Sequence, residues 1–319
     1  MKRRAPSSML MKPLPSCAPS KPTAPRRNRL PWPATALAGL ATIWLACCPA
    51  WAAGSLKVAT WNLEWLTTRA PGDPALPPDV TPRTPTDLAR LAHYASQLAP
   101  DIVALEEVDD PALAAGLFPA PAYHLFITGD SVVQRVAAAV RADLPVTRHP
   151  DLTALDVYAA DAPRHLRAGL DLTIGTGADS LRVLVVHLKA GCRDSGPTDR
   201  RPACNTLRRQ MAVVQDWIME RQDEGEAFAV LGDFNRLLAP DDPMLRSLGE
   251  NGPLTLATAG HASPCGAGTY FIDHIIMGGA ARDWLQPGSL RVMLYRDRVA
   301  DGTAHLSDHC PVSARLSLP

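Results

Sequence analysis

The chain has 319 residues, 46% of them hydrophobic and 5% aromatic, a composition that supports a sizeable core in one large domain or two small ones. Its 32 basic and 32 acidic residues balance only formally: residues 1–52 carry eight Lys/Arg and no Asp/Glu, which leaves 24 basic against 32 acidic residues and a net charge of −8 for the rest. That acidic body excludes a protein that gathers polyanions by its overall field, so any nucleic-acid binding requires a local basic patch or bridging cations.

The first element in chain order reads as an address. A basic, Pro-rich stretch from Lys2 to Arg29 precedes 15 apolar or small residues, Ala34 to Cys48, and then Ala50-Trp51-Ala52, the small–x–small pattern of a signal-peptidase site. Fifteen residues fall short of the roughly 20 that a membrane span needs. The expectation is a bacterial secretory signal peptide over residues 1–52, with residues 53–319 as one periplasmic or secreted catalytic domain, monomeric and without a membrane span; an uncleaved anchor is the alternative. Four cysteines remain after cleavage: Cys192, Cys204, Cys265 and Cys310. An oxidising compartment lets disulfides persist. A Cys192–Cys204 bridge would close a short polar loop and contribute about 3 kcal/mol; Cys265 and Cys310 read equally as buried thiols or as a pair.

From Leu56 the pattern becomes an α/β alternation. Leu56–Trp61 reads as a strand. Residues 69–86, with six prolines, read as an exposed insert. Thr86–Leu98 has a helical stripe of Leu88, Leu91, Ala95 and Leu98, stopped by Pro100. Ile102–Leu105, Val132–Val140, Asp171–Ile174 and Leu181–Leu188 follow as strands. Leu207–Arg221 reads as an amphipathic helix capped by Asn205 or Thr206, and Phe228–Leu231, Tyr270–Met277, Leu290–Leu294 and Val312–Leu318 complete the strands. Several strands succeed one another without a helix between them. That argues for mixed sheets packed face to face with helices outside.

Polar clusters gather at the ends of these apolar runs: Asn62 and Glu64, Glu106 and Glu107, His187, Asp233 and Asn235, Asp273 and His274, and Asp308-His309 within Ser307-Asp308-His309-Cys310-Pro311. Carboxylates, amides and imidazoles at strand ends are what metal-assisted phosphoryl transfer requires. Glu107 suits a hard oxygen-seeking ion such as Mg²⁺, with Glu106 as its rival. His187 can donate to a developing oxyanion. Asp273 and His274 point to opposite faces of a strand; Asp273 is read as the carboxylate that orients His309, and Asp308 as a metal-side carboxylate. Each cluster also has a plainer reading, as a turn, a solvated acidic face or a satisfied core histidine. Arg193, Arg200, Arg201, Arg208 and Arg209 crowd the expected disulfide loop, either as a phosphate-binding patch, with Arg193 and Arg208 foremost, or as a solvated face.

In order, WN, LEEV, VVHL, GDFN, IDHI and SDHCP resemble the endonuclease/exonuclease/phosphatase superfamily, from about Leu56 to the C-terminus. The resemblance implies a four-layered α/β sandwich of two mixed β-sheets face to face, flanked by helices. It implies Mg²⁺- or Mn²⁺-assisted attack of water on a phosphoester, with His309, oriented by Asp273, as general base and with Glu107 and Asp308 on the metal. Asn62, His187 and Asn235 would position the phosphate, and Asp233 the water. Glu106 stands where the superfamily usually has Gln, and Glu64 where relatives often have a shorter side chain. The substrate expected is a phosphodiester, DNA or RNA first, with phospholipids and inositol or sugar phosphates as alternatives. A non-catalytic binding module on the same scaffold is a third reading.

Overall fold

The computed structural model describes residues 54–196, 198–265, 271–296 and 305–319; the expected signal peptide lies outside them, as does Tyr270, the expected start of a strand. The elements are, in chain order, β1 (Ser55–Leu66), α1 (Pro85–Leu98), β2 (Ile102–Val108), α2 (Pro111–Leu117), β3 (Tyr123–Ile127), β4 (Arg135–Arg141), β5 (Val146–Arg148), β6 (Leu170–Ile174), β7 (Leu181–His187), α3 (Pro202–Asp223), β8 (Phe228–Asp233), α4 (Pro243–Leu248), β9 (Thr255–Leu256), β10 (Asp273–Gly278), β11 (Arg291–Val292) and β12 (Val312–Ser317). They form two six-stranded sheets, in the order β11-β12-β1-β2-β4-β3 and β5-β6-β7-β8-β10-β9. Among the described residues only β1–β2 and β7–β8 are parallel neighbours; the other pairs are antiparallel.

Alternation along the strands explains the layers. In β1, Leu56 and Val58 join Ala104, Ala138, Val140 and Leu316 of the same sheet, and Leu172, Val183 and Ile275 of the other, in the core between the sheets. Ala59, Trp61 and Leu63 face the opposite way, onto Leu91, Tyr94 and Leu98 of α1 and Leu117 of α2. On the second sheet, Leu184, Val186 and Val230 take the stripe Leu207, Met211, Val214 and Ile218 of α3. Helix, sheet, sheet and helix make the four layers expected.

The start of one helix differs from expectation. Helix α3 starts at Pro202, with Arg201 at its N-cap, so Asn205 and Thr206 lie inside it. Proline's fixed φ suits the first helical position, where no N–H is needed. Helices α2 and α4 are also additions. Each is short and announced by Asp-Pro, with Asp110 accepting from Ala112 N and Asp242 from Met244 N. Among the described residues no helix is long and apolar enough to cross a membrane.

The topology puts the carboxyl ends of both parallel pairs, and the entry ends of β10 and β12, at one edge of the inter-sheet core. Gly232 helps to close that edge. Its φ is +146°, and a Cβ there would lie 1.9 Å from Val186 O. Only glycine lets β8 approach β7 closely enough to set Asp233 beside His187.

Candidate active site

The site starts at a break in sheet regularity. β1 and β2 pair as Asn62↔Glu106 and then as Leu66↔Val108, so the register shifts between Asn62 and Leu66. Glu64, Trp65 and Glu107 adopt left-handed backbones, with φ of 46°, 55° and 62°. Non-glycine residues held there carry about 1–3 kcal/mol of strain each, which the surrounding structure must offset. The irregularity separates the two neighbouring glutamates. Glu106 is turned into the protein and is fully buried. Glu107 faces the cleft, held by Asn62 Nδ2 on Oε1 (3.2 Å) and Trp65 N on Oε2 (3.0 Å).

Asp233 is the hub opposite, and it is 1% exposed. Its Oδ2 accepts from Asn62 Nδ2 and Asn235 Nδ2, both at 3.1 Å, and its Oδ1 from Asn235 N at 2.7 Å. Asn235, with φ 51°, closes the turn that follows β8. So the turn reading and the site reading of GDFN describe one feature. His187 Nε2 lies 3.6 Å from both Glu107 Oε1 and Asp233 Oδ2. Burial, reinforced by the Arg167 charge, holds its pKa well below 6.5, so the ring is neutral. Arg167 donates to His187 O (2.7 Å) and Leu188 O (2.9 Å), a buried cation behind the acids.

His309 completes the ring. Its Nδ1 is 3.0 Å from both oxygens of Asp273, and its Nε2 is 3.9 Å from Asp233 Oδ2 and 3.8 Å from Asp308 Oδ1. Burial pulls its pKa down, but Asp273, Asp233 and Asp308 outweigh this and raise it to about 11. Burial and the Asp273 charge lift Asp233 to about 7. His274, the next residue after Asp273, points to the other face and meets Thr258 Oγ1 (2.8 Å) and Arg236 O (3.0 Å), a satisfied core histidine.

The loop carrying His309 is tied down on several sides. Ser307 Oγ donates to Asn62 O and accepts from His309 N, and Tyr295 OH, itself bound by Trp61 Nε1, donates to His309 O. Glu64 accepts from Asp308 N at 2.9 Å and meets His305 Nε2 at 3.0 Å. The longer acid at this position therefore ties the end of β1 to the loop. Buried Arg83 braces the same junction through Leu63 O and Leu306 O. Cys265 and Cys310 are bridged across 45 residues, which adds about 4 kcal/mol by loop entropy, and Cys192 and Cys204 are bridged as expected.

Two groupings offer metal ligands. Asp233, Asp273 and His309 present atoms within 4.8 Å of one another. There, however, Asp273 is engaged by His309 Nδ1, and an imidazole that ligates through Nε2 is no longer free to accept a proton. Glu107 and Asp308 instead line a cleft of about 510 Å³ together with Glu64, Asp79 and Trp65. Each oxygen of Glu107 has one lone pair used and one open, and the Asp308 side chain is 69% exposed. The open carboxylate oxygens of Glu107 and Asp308 fit a hard divalent cation.

All eight expected catalytic and metal residues meet at this edge. Asn62 is buried as a donor between two acids and does not face open cleft. Arg193 and Arg208 line no part of the cleft: Leu237 N donates to Arg193 O, and Arg208 bonds Asn205 Oδ1 and lines a separate cavity with Met211 and Arg236. The positions missed in sequence are Arg83, Arg167 and Trp65. The signal available for them was weak, because an arginine in a loop and a tryptophan at a strand end read as solvated and as core.

Glu106 stands where relatives usually carry Gln, and its surroundings keep it from adding a charge there. Burial, and then Asp273 and Asp233, hold its pKa well above 4.5, so the carboxyl is protonated and matches Gln in shape and charge. The unfolded chain releases this proton above about pH 4.5 while the native state keeps it, so native stability falls as pH rises through that window. Glu106→Gln should therefore retain hydrolysis and raise the Tm. Its advantage should grow as pH rises above about 4.5, for as long as the native state keeps the proton. Thermal melts across that range check this; an advantage that shrinks with pH would show a charged Glu106.

A search of the curated proteins finds no match to this sequence. Among solved structures, truncated TDP2 from Caenorhabditis elegans is similar at 18% identity, covering 82% of this chain and 98% of that one, with a TM-score of 0.57. The 3′ phosphatase NExo from Neisseria, bound to a product DNA hairpin, is similar at 19% identity over 82% and 99%, with a TM-score of 0.53. The catalytic domain of human Nocturnin with bound sulfate gives 16% over 83% and 95%, and 0.52. At these identities the likeness establishes the fold. The model of the endonuclease/exonuclease/phosphatase family matches residues 59–309, and the chain belongs to that family.

Proposed function

We propose that the protein is an exported, divalent-metal-dependent phosphodiesterase that hydrolyses nucleic acid. The observation that carries this reading is the His309–Asp273 pair facing Asp233 and Glu107 across one cleft. With Nδ1–H committed to Asp273, Nε2 is the nitrogen left to accept a proton. In the reaction, a water oxygen bonds to phosphorus as the opposite P–O ester bond breaks, and the water proton passes to His309 Nε2. Asp233, fixed by both amides, holds the water. Neutral His187 offers a hydrogen-bond donor to the phosphoryl group. Glu107 and Asp308 would hold Mg²⁺ or Mn²⁺, which supplies charge neutralisation at the phosphoryl and leaving oxygens. Export rests on the basic, apolar and small-residue order of residues 1–52.

The test is a screen of residues 53–319 against single-stranded and duplex DNA, RNA, sphingomyelin vesicles and inositol phosphates, with Mg²⁺ or Mn²⁺ and with chelator. Nucleic-acid cleavage abolished by chelator is the expected result. Sphingomyelin or inositol-phosphate turnover with DNA and RNA left intact would move the substrate to those classes, and no turnover of any phosphoester would remove the reading.

A further inference from the structure

We infer that a second cavity, which shares Trp65 and Pro77 with the acidic cleft, is a nucleotide subsite: the base beside the scissile phosphate stacks on the Trp65 indole, and the next phosphate rests on Arg164. This deepens the nucleic-acid reading above and rests on it. Trp65 and Pro77 line both cavities, the acidic cleft of about 510 Å³ and this one of about 420 Å³. They differ in carboxylate content: the first has four beside Arg83, His305 and His309, and the second, which holds Arg164, His165 and Arg167, has none in its described lining. An acidic body needs local positive charge to accept a polyanion; here exposed Arg164 supplies it, since His165 Nδ1 lies 2.6 Å from Asp156 Oδ2 and Arg167 is buried.

Trp65 is placed as a platform. Its neighbours Leu63 and Leu66 are fully buried, whereas Trp65 is half-buried with a left-handed backbone. Its backbone N–H donates to Glu107 Oε2, which fixes the Trp65 backbone beside the candidate metal ligand. The Pro-rich segment forms the facing wall through Pro74 and Pro77. Proline's locked φ keeps such a wall stiff without regular secondary structure. The two arginines differ in role. Arg167 spends its guanidinium on His187 O and Leu188 O, whereas exposed Arg164 has no partner among the described residues and is free for an incoming anion.

The aromatic face and Arg164 together favour one substrate class, because a choline headgroup can meet the indole by cation–π contact but brings no second phosphate for Arg164. A phospholipid headgroup or an inositol phosphate brings phosphate but no flat ring to stack. A nucleobase brings both, and stacking is worth about 1–3 kcal/mol per base. Bases inside a duplex already have both faces covered by their neighbours, so the subsite takes single strands or frayed ends.

The test uses fluorescence anisotropy in a His309→Ala background, with a labelled oligothymidylate and the same strand carrying an abasic residue at the position beside the cleaved phosphate. The parent should bind the complete strand about tenfold more tightly. Trp65→Ala should bring that ratio to about one, and Trp65→Phe should keep most of it, which separates lost stacking from lost folding. Arg164→Ala should weaken both strands alike and lower the salt slope by about one phosphate. Equal binding of the two strands by the parent, or an unchanged ratio in Trp65→Ala, overturns the subsite. Because binding needs no turnover, those failures are distinct from an absence of hydrolysis by the active enzyme, which removes the proposed function.

Discussion

Replacing His309 with alanine should lower kcat by about 10²–10⁴, the range that general acid–base catalysis supplies. Asp273→Asn should come close to it, since an amide facing Nδ1 can donate to it and leave the proton on the wrong nitrogen. The pH dependence has a defined sign. Three carboxylates hold His309 protonated up to about pH 11, against the pull of burial. A protonated imidazole accepts nothing, so the rate should rise with pH. Adding divalent cation places positive charge beside the same acids and should move that rise to lower pH. In His309→Ala the rise should vanish; a rise unchanged in the variant would place the base elsewhere.

Stability follows the same group. The folded pKa of His309 lies above its ordinary value of 6.5, so its stabilisation is complete below about pH 6.5 and is lost as pH climbs towards 11. In metal-free protein, the Tm gap between wild type and His309→Ala should narrow from pH 6.5 to 10.

Removing Glu107 should have an effect of comparable size. A divalent cation contributes several kcal/mol to a phosphoryl-transfer transition state, and 1.36 kcal/mol is a factor of ten. Glu107→Ala and Glu107→Gln should each lower kcat/KM by about 10³ and move the metal titration to higher concentration. Calorimetric Mg²⁺ titration of the two Gln variants separates the neighbours: Glu107→Gln should weaken binding and Glu106→Gln should not. The reverse pattern would exchange their roles.

The chemistry-bearing residues were legible because they end apolar runs. Asn62, His187 and Asp233 follow strands whose alternation is strong, and a polar group at a buried strand end needs a hydrogen-bond partner or a chemical role. The helical stripe of α3 was legible for the same reason, but its start was not: Asn205 looks like a cap, while Pro202 three residues earlier satisfies the first turn without one. Strands of two or three residues such as β5 and β9 carry too few side chains for a period.

Much of the site lay beyond local pattern. Strict alternation along β2 does not say which of Glu106 and Glu107 meets the cleft. The register shift against β1 decides it, because left-handed residues on both strands turn one acid inward and the other out. The charge at position 106 likewise depends on its surroundings: full burial beside Asp233 and Asp273 keeps the proton on. Phosphate-binding arginines were expected near the disulfide loop, where the sequence concentrates them. Arg164 and Arg167 line the cavity next to the cleft through the approach to β6.

From the order of residues alone came the fold class and most of the side chains that surround the cleft, since hydrophobic period and strand-end polarity are properties of neighbouring positions. Which glutamate faces the cleft, which histidine keeps a proton, and which arginines and tryptophan flank the cleft were settled only by the packed chain. Those outcomes depend on burial and on charges brought in from distant parts of the sequence, over separations at which no period carries information.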